Sequence, residues 1–359
     1  MSEGPVAASP LLKALYKVAL RGYYYSGAAA LHLGLGRGQR TCTILLYHGV
    51  SDAPDRDEEL FDGRFVTTAA FRRQMRFLVR HFDVMSLREA VDQVESGTPF
   101  RRRSAVVTFD DGYRNNFDVA HPVLREFGVP ATYFVATDFI GGVRRPWWDR
   151  VQEMVHPSRR LGTVKVTADS GDRSFDLSTV PARRRLYLDV MRAVQSRPSE
   201  EQSIMGGLER SLGAPERASD GNGFVDWDEL RAVASEPLVE VGGHSGSHAH
   251  LSSLSQEDAR VEVLGSKQTL ENALGVSVTS FAYPYGTQAS YTEETVEILK
   301  EAGFSCGLTG VEGKVDCRTD RFQLRRVSVL ENDRWPDFVA KVLGASATLR
   351  RAWARRRHA

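Results

Sequence analysis

Apolar residues recur along this chain with two different periods. Short β-branched or aliphatic runs at 43–50, 105–107, 131–136, 238–243, 281–286 and 322–329 have the length of buried strands. Between them, apolar positions follow helical spacing. Phe71, Met75, Leu78, Val79 and Phe82 make one face of a helix capped near Thr68. Ser86-Leu87-Arg88-Glu89 is a capping-box pattern opening a short helix that stops by Gly97. Val119, Val123, Leu124 and Phe127 mark another helix, closed by Gly128 with Pro130 behind it. Ser255 caps a long helix toward Leu274 and Gly275, and a further helix runs from Thr292 to Ala302. Strands alternating with helices predict a parallel sheet. From 145 to 223 the alternation weakens. Arginine-rich helical sequence at 182–195 and a small strand pair, 164–166 with 175–177, predict an insertion there.

Two of the strands end in chemistry. The run 105–107 leads to Thr108-Phe109-Asp110-Asp111-Gly112-Tyr113, and the run 238–243 leads to His244-Ser245-Gly246-Ser247-His248. An Asp-Asp-Gly alone reads most simply as a surface turn, and a His-x-x-x-His as a solvated pair. Together they suit a metal site, because adjacent carboxylates in one cleft have their pKa values driven apart and take different jobs. Histidines four apart share a face if the backbone is helical or tightly turned, a spacing suited to a transition metal. Both motifs sit where strand gives way to loop, the usual position of active sites in parallel barrels.

Composition narrows the picture. A hydrophobic fraction of 42% excludes wholesale disorder, and a net charge of +1 argues against a general nucleic-acid binder. Cys42, Cys306 and Cys317 form neither a zinc spacing nor a disulfide framework, which suits a reducing compartment. Residues 1–40 form a separate helical segment. Lys13, Lys17 and Arg21 interrupt its apolar run, short of the roughly 20 residues that span a bilayer. The expected location is cytoplasmic. The alternative is a peripheral contact with the inner membrane face through Leu11, Leu12, Leu15, Tyr16, Val18 and Ala19. A basic tail, 346–359, follows the main domain.

The two motifs resemble the first two of the polysaccharide deacetylase (NodB-homology) family, carbohydrate esterase family four. The resemblance runs from Ile44 to about Val329 and is weak between Arg145 and Gly223. It implies an α/β fold, a deformed (β/α) barrel of seven strands over 41–345, with the mainly helical insertion over its mouth. It implies Asp111, His244 and His248 as metal ligands and Asp110 as catalytic base. Leu46-Tyr47-His48 matches the family's Leu-x-His motif, found at the N-terminal end in one branch, which makes His48 the general acid. Phe281-Ala282-Tyr283-Pro284-Tyr285 resembles the Arg-x-Pro-Tyr motif, whose tyrosine N–H would be an oxyanion donor at Tyr285. The motif's arginine is Ala282 here, and Arg326 is the candidate replacement. Trp148, Tyr113, Pro284 and Arg326 are the expected substrate contacts. Trp147 and Trp148 fit stacking on a sugar ring or the insertion's own core equally well.

The implied activity is metal-dependent hydrolysis of the acetamide of an N-acetylated amino sugar, in a polysaccharide, a lipid-linked saccharide or a small glycoconjugate. Zinc is the default ion, although two histidines and a carboxylate also suit other divalent metals. The alternatives are removal of an O-acetyl group, hydrolysis of another linear amide, an iron(II) oxygenase, or a non-catalytic protein that binds carbohydrate.

Overall fold

The computed structural model describes residues 10–35, 40–52, 64–156, 162–168, 171–213 and 223–345. Its centre is built from β1 (Cys42–Tyr47), β2 (Ser104–Phe109), β3 (Ala131–Val135), β4 (Val239–Gly243), β5 (Ser280–Ala282), β6 (Cys306–Glu312) and β7 (Leu324–Ser328). All seven pair in parallel in the order β2-β3-β4-β5-β6-β7-β1, and β1 pairs with β2 to close the ring. A two-residue strand, Asp83–Val84, pairs with the start of β2 from outside the ring. This is the seven-stranded (β/α) barrel that the alternating pattern and the resemblance imply.

Strand periodicity divides the core into two. Ile44, Val106, Phe134, Ala282, Leu308 and Leu324 fill the barrel interior, where alternate residues of each strand point inward. Leu87, Ala90, Val91 and Val94 of α4 (Leu87–Glu95) join that cluster, together with Phe100. Leu45, Tyr47, Val107 and Phe109 point outward instead, against α3 (Thr68–His81) and α5 (His121–Phe127). Gly242 shows how tight the interior is: a Cβ there would lie 2.4 Å from the Phe134 ring. Only a glycine lets that ring cross β4.

The helical caps follow the sequence closely. Thr67 accepts from Ala70, Ser86 and Glu89 complete a capping box, and Gly128 and Gly275 end their helices in left-handed conformation. One local difference is at Val119, which belongs to a π-helical turn, Asn116–Ala120, leading into α5.

Between β3 and β4 the chain forms α6 (Trp147–Met154), an antiparallel pair Thr163–Ala168 and Gly171–Asp176, α7 (Val180–Ser196) and α8 (Glu201–Leu212). These share one apolar cluster with Tyr113, Phe139 and Phe224 beside the barrel mouth. At the other end of the chain, α1 (Pro10–Tyr25) and α2 (Ala28–Leu35) pack on α12 (Trp335–Leu343). No helix of the described residues is long and apolar enough to cross a membrane. The charged loop at 51–62, apart from its first two residues, and the basic tail at 346–359 lie outside the described residues.

Candidate metal centre and catalytic cleft

β2 stops at Phe109 because the next residues leave the extended conformation. Asp111 takes φ 75° and Gly112 φ 85°, so two consecutive left-handed residues swing the chain round. Asp110 and Asp111 then reach one cleft instead of opposite faces. The histidine segment after β4 is also a turn, the second of the two backbones that would put its histidines on one face. Ser245 and His248 have φ 60° and 59°, and Tyr285 after β5 has φ 61°. With Asp111, these are the non-glycine residues of positive φ among the described residues. Such backbone costs on the order of 1–3 kcal/mol per residue. Its confinement to three loops around one cleft marks the place where local stability gives way to side-chain placement.

The strained loops bring ligand atoms together. One atom each from Asp111, His244 and His248 lie within 4.8 Å of one another, and all three residues are buried. The Nε2 atoms of His244 and His248 are 3.5 and 3.4 Å from Asp111 Oδ1. Those separations are long for hydrogen bonds. They match the edge of a tetrahedron of donors with bonds of 2.0–2.1 Å, about 3.4 Å. His244 Nδ1–H donates to the Ala282 carbonyl at 2.7 Å, leaving Nε2 as the free lone pair facing Asp111. Donor types, spacing and tautomer all fit a divalent ion.

Asp110 is held differently. Arg326, buried inside the barrel, donates from both Nη atoms to its two carboxylate oxygens at 2.7 Å each. Arg326 also donates from Nε to the Thr309 carbonyl at 2.8 Å. The guanidinium is therefore spent on protein partners, and Asp110 is the one carboxylate it neutralises. Arg326 thus stands where the sequence suggested an orienting arginine, and it has no reach left for substrate. Ala282, at the motif's arginine position, serves the cleft through its backbone alone.

Electrostatics follow from this packing. Burial would raise the pKa of Asp110, but Arg326 and then His244 outweigh it and hold the carboxyl below its usual range. Burial would raise Asp111 too, but the facing His244 and then His48 and His248 outweigh it and hold it low. Burial works against charge on His244, yet Asp110 and Asp111 raise its pKa. His248 is pushed down to about 3, first by burial and then by His244. Two ionised carboxylates therefore face imidazoles in a closed space, and Arg326 balances only one of them. Asp111, His244 and His248 could hold a divalent ion there.

His48 follows β1 directly and is near enough to Asp110 and Asp111 to help hold both carboxyls low. Tyr285 packs edge-on against His248, with ring centroids 4.8 Å apart, and its hydroxyl accepts from Trp147 Nε1 at 3.1 Å. Pro284 beside it is buried.

Trp148 and Tyr113 require a correction. Both are buried, 7% and 1% exposed, and neither ring offers a face to a sugar. Trp148 Nε1 donates to the Tyr113 hydroxyl at 2.8 Å, Arg64 donates to it at 3.0 Å, and it donates on to Asp149 at 3.3 Å. Trp148 instead backs the His248 imidazole, with centroids 4.7 Å apart. Of the two readings open for the tryptophan pair, the insertion's own core is the one the packing supports.

Sequence reasoning missed Glu262. From α10 (Gln256–Leu274) it accepts from the Ser247 amide at 2.9 Å and the Ser247 hydroxyl at 2.6 Å, tying the histidine turn to a helix. A carboxylate on a solvated helix face carries no sequence signal of that duty. The Ala282 carbonyl carries none either, since any residue could supply it.

Comparison with known proteins gives a consistent picture. The family model described as polysaccharide deacetylase matches residues 97–162 and 198–307. The Bacillus subtilis protein YxkH is 20% identical over 287 residues, 80% of this chain and 70% of that protein. The poly-beta-1,6-N-acetyl-D-glucosamine N-deacetylase of Staphylococcus epidermidis is 36% identical over 77 residues, 21% of this chain and 26% of that enzyme. Among solved structures, the Streptococcus pyogenes deacetylase PplD superposes with a TM-score of 0.55 at 16% identity, covering 84% of this chain and 98% of that one. IcaB from Ammonifex degensii gives 0.55 at 19% identity, covering 85% and 98%. At those identities the structures share the fold.

Proposed function

Because this chain belongs to the polysaccharide deacetylase family, we propose that its cleft hydrolyses the acetamide of an N-acetylated amino sugar. The observation that carries this reading is the convergence of Asp111, His244 and His248 within 4.8 Å, beside an Asp110 fixed by Arg326. Zinc suits the three donors best, and a divalent ion held there supplies Lewis acidity and water acidified from a pKa of 15.7 to about 7.

Asp110 takes the proton of the attacking water. Its low pKa keeps it ionised at neutral pH, and the Arg326 fork fixes its direction. His48, on the same cleft, protonates the departing nitrogen, the step an amide needs because an unprotonated amine leaves poorly. The Tyr285 N–H, on a turn of positive φ, supports the developing oxyanion. The N-deacetylase of poly-beta-1,6-N-acetyl-D-glucosamine from S. epidermidis, a relative over part of the chain, supports a polymer of N-acetylglucosamine as the first substrate class to test.

The test is acetate release from N-acetylglucosamine oligomers, with mass spectrometry following loss of acetyl groups. Release that stops with chelator and returns with zinc is the expected result. Binding of those oligomers without release, in metal-loaded protein, would favour the carbohydrate-binding alternative.

A further inference from the structure

Left-handed backbone at a non-glycine residue persists only where its surroundings over-determine it. Asp111, Ser245, His248 and Tyr285 are such residues, on three loops, and one stretch of chain braces all three loops. That stretch is the excursion between β3 and β4. As it leaves β3, the Thr137 and Asp138 amides donate to the Ser245 and Gly246 carbonyls at 3.3 and 2.9 Å. In α6, Trp147 Nε1 donates to the Tyr285 hydroxyl, and the Trp148 ring meets the His248 imidazole edge-on. Phe139 lies nearly parallel to the same imidazole, with centroids 6.1 Å apart.

The returning chain is fastened to the aspartate turn. The Val225 amide donates to the Gly112 carbonyl at 3.1 Å and the Arg114 amide to the Gly223 carbonyl at 2.9 Å, a short antiparallel bridge. Phe224 stacks on Tyr113 with centroids 4.6 Å apart. The Gly141 amide donates to the Val225 carbonyl at 2.8 Å, which ties the outgoing and returning chain together at the neck of the excursion. Just beyond, Arg114 donates to Glu229 Oε1 at 2.6 Å and lies 3.6 Å from Asp226 Oδ2. Asp226 and Glu229 form the capping box of α9 (Trp227–Ala234), the helix that precedes β4 and its histidines. An exposed ion pair alone contributes only about 0–1 kcal/mol. This one is half-buried, and the bridge it closes has the left-handed Asp111–Gly112 turn on its other side.

We infer that the excursion between β3 and β4 positions the metal donors, with Trp148 the positioning residue for His248 and Arg114 the positioning residue for the Asp111 turn. The inference rests on the reading of Asp111, His244 and His248 as a divalent-metal site. Ion binding and packing of the excursion are then linked, so each favours the other. A mere cover over the barrel mouth would need no such contacts with the strained loops.

The zinc affinity of the full chain is measured by competition with a chromophoric chelator. Arg114→Met and Trp148→Phe should each weaken it by roughly tenfold. Glu229→Gln keeps an acceptor for the Asp226 amide while losing the charge, and gives a gentler second variant with a smaller loss. Arg114→Met/Glu229→Gln should be no weaker than Arg114→Met alone, because both remove the same pair. Arg192→Met breaks an exposed pair with Asp189 on α7 of the same excursion and should bind zinc as wild type does. In wild type, the Val225 amide should exchange with deuterium more slowly once zinc is added. Wild-type affinity in both Arg114→Met and Trp148→Phe, or Val225 exchange indifferent to zinc, would overturn this inference alone. So would affinity that simply follows the metal-free unfolding midpoint across all variants, Arg192→Met included. A wild type that takes up no divalent ion would remove the metal reading, and this inference with it.

Discussion

The two halves of the cleft are fastened from opposite sides of the barrel wall. The carboxylate pair is held from within: Arg326 reaches Asp110 through the interior, and its Nε is anchored on Thr309. The imidazole pair is held at a strand end by the Ala282 carbonyl and from without by Glu262 on an outer helix and Trp148 of the insertion. An interior ion pair tolerates no slack, because either partner left alone is a buried charge. An outer loop braced by several ordinary hydrogen bonds can lose one and keep its shape. The proton-handling group is thus the rigid member, and the spacing of the metal donors depends on many smaller contacts.

That contrast can be broken in graded steps. Asp111→Asn replaces the anionic carboxylate that faces both histidines with a neutral amide. Metal content should fall to background and acetate release by more than about a thousandfold, as read by metal analysis and turnover of the same preparation. Arg326→Met attacks the interior fastening. Here metal should remain while activity falls by about a hundredfold or more, and stability to denaturant should drop by roughly 3–5 kcal/mol. The same substitution carries a pH signature. Burial then acts on Asp110 without its counter-charge, so its pKa rises and the acidic limb of kcat/KM moves to higher pH.

His48→Ala tests the acid at the cleft edge. Amide hydrolysis should fall by about a hundredfold, while an activated acetate ester, whose leaving group needs no proton, should be cleaved at near wild-type rate. Equal losses on both substrates would deny His48 that role. Glu262→Gln, on the outer side, should weaken metal affinity by about tenfold with little change in the activity of metal-saturated protein. An Arg326-sized collapse in that variant would erase the distinction between rigid and adjustable halves.

Much of the architecture was legible because it rests on period and punctuation. The strand runs, the Ser86 box and the glycines at 128 and 275 each state a local preference that the fold obeys. The doublet and the histidine pair were legible as chemistry only together, since each alone reads as an ordinary surface feature. What stayed hidden concerns partners. Nothing local says that Trp148 faces Tyr113 instead of solvent, or that Glu262 lies under the Ser247 turn, since those pairings come from the packing of distant elements. α1 was half legible: the sequence showed apolar residues at helical spacing but not which side α12 would take.

The closure of β1 between β2 and β7 has one more consequence. A ring has no beginning, so strands far apart in order along the polypeptide can border each other on it. Two such bordering strands deliver His48 and Arg326, and both lie outside the stretch that the family model matches. Residues from the two far ends of the chain thus become neighbours of Asp110. A linear profile, which knows only order, has no way to express that adjacency.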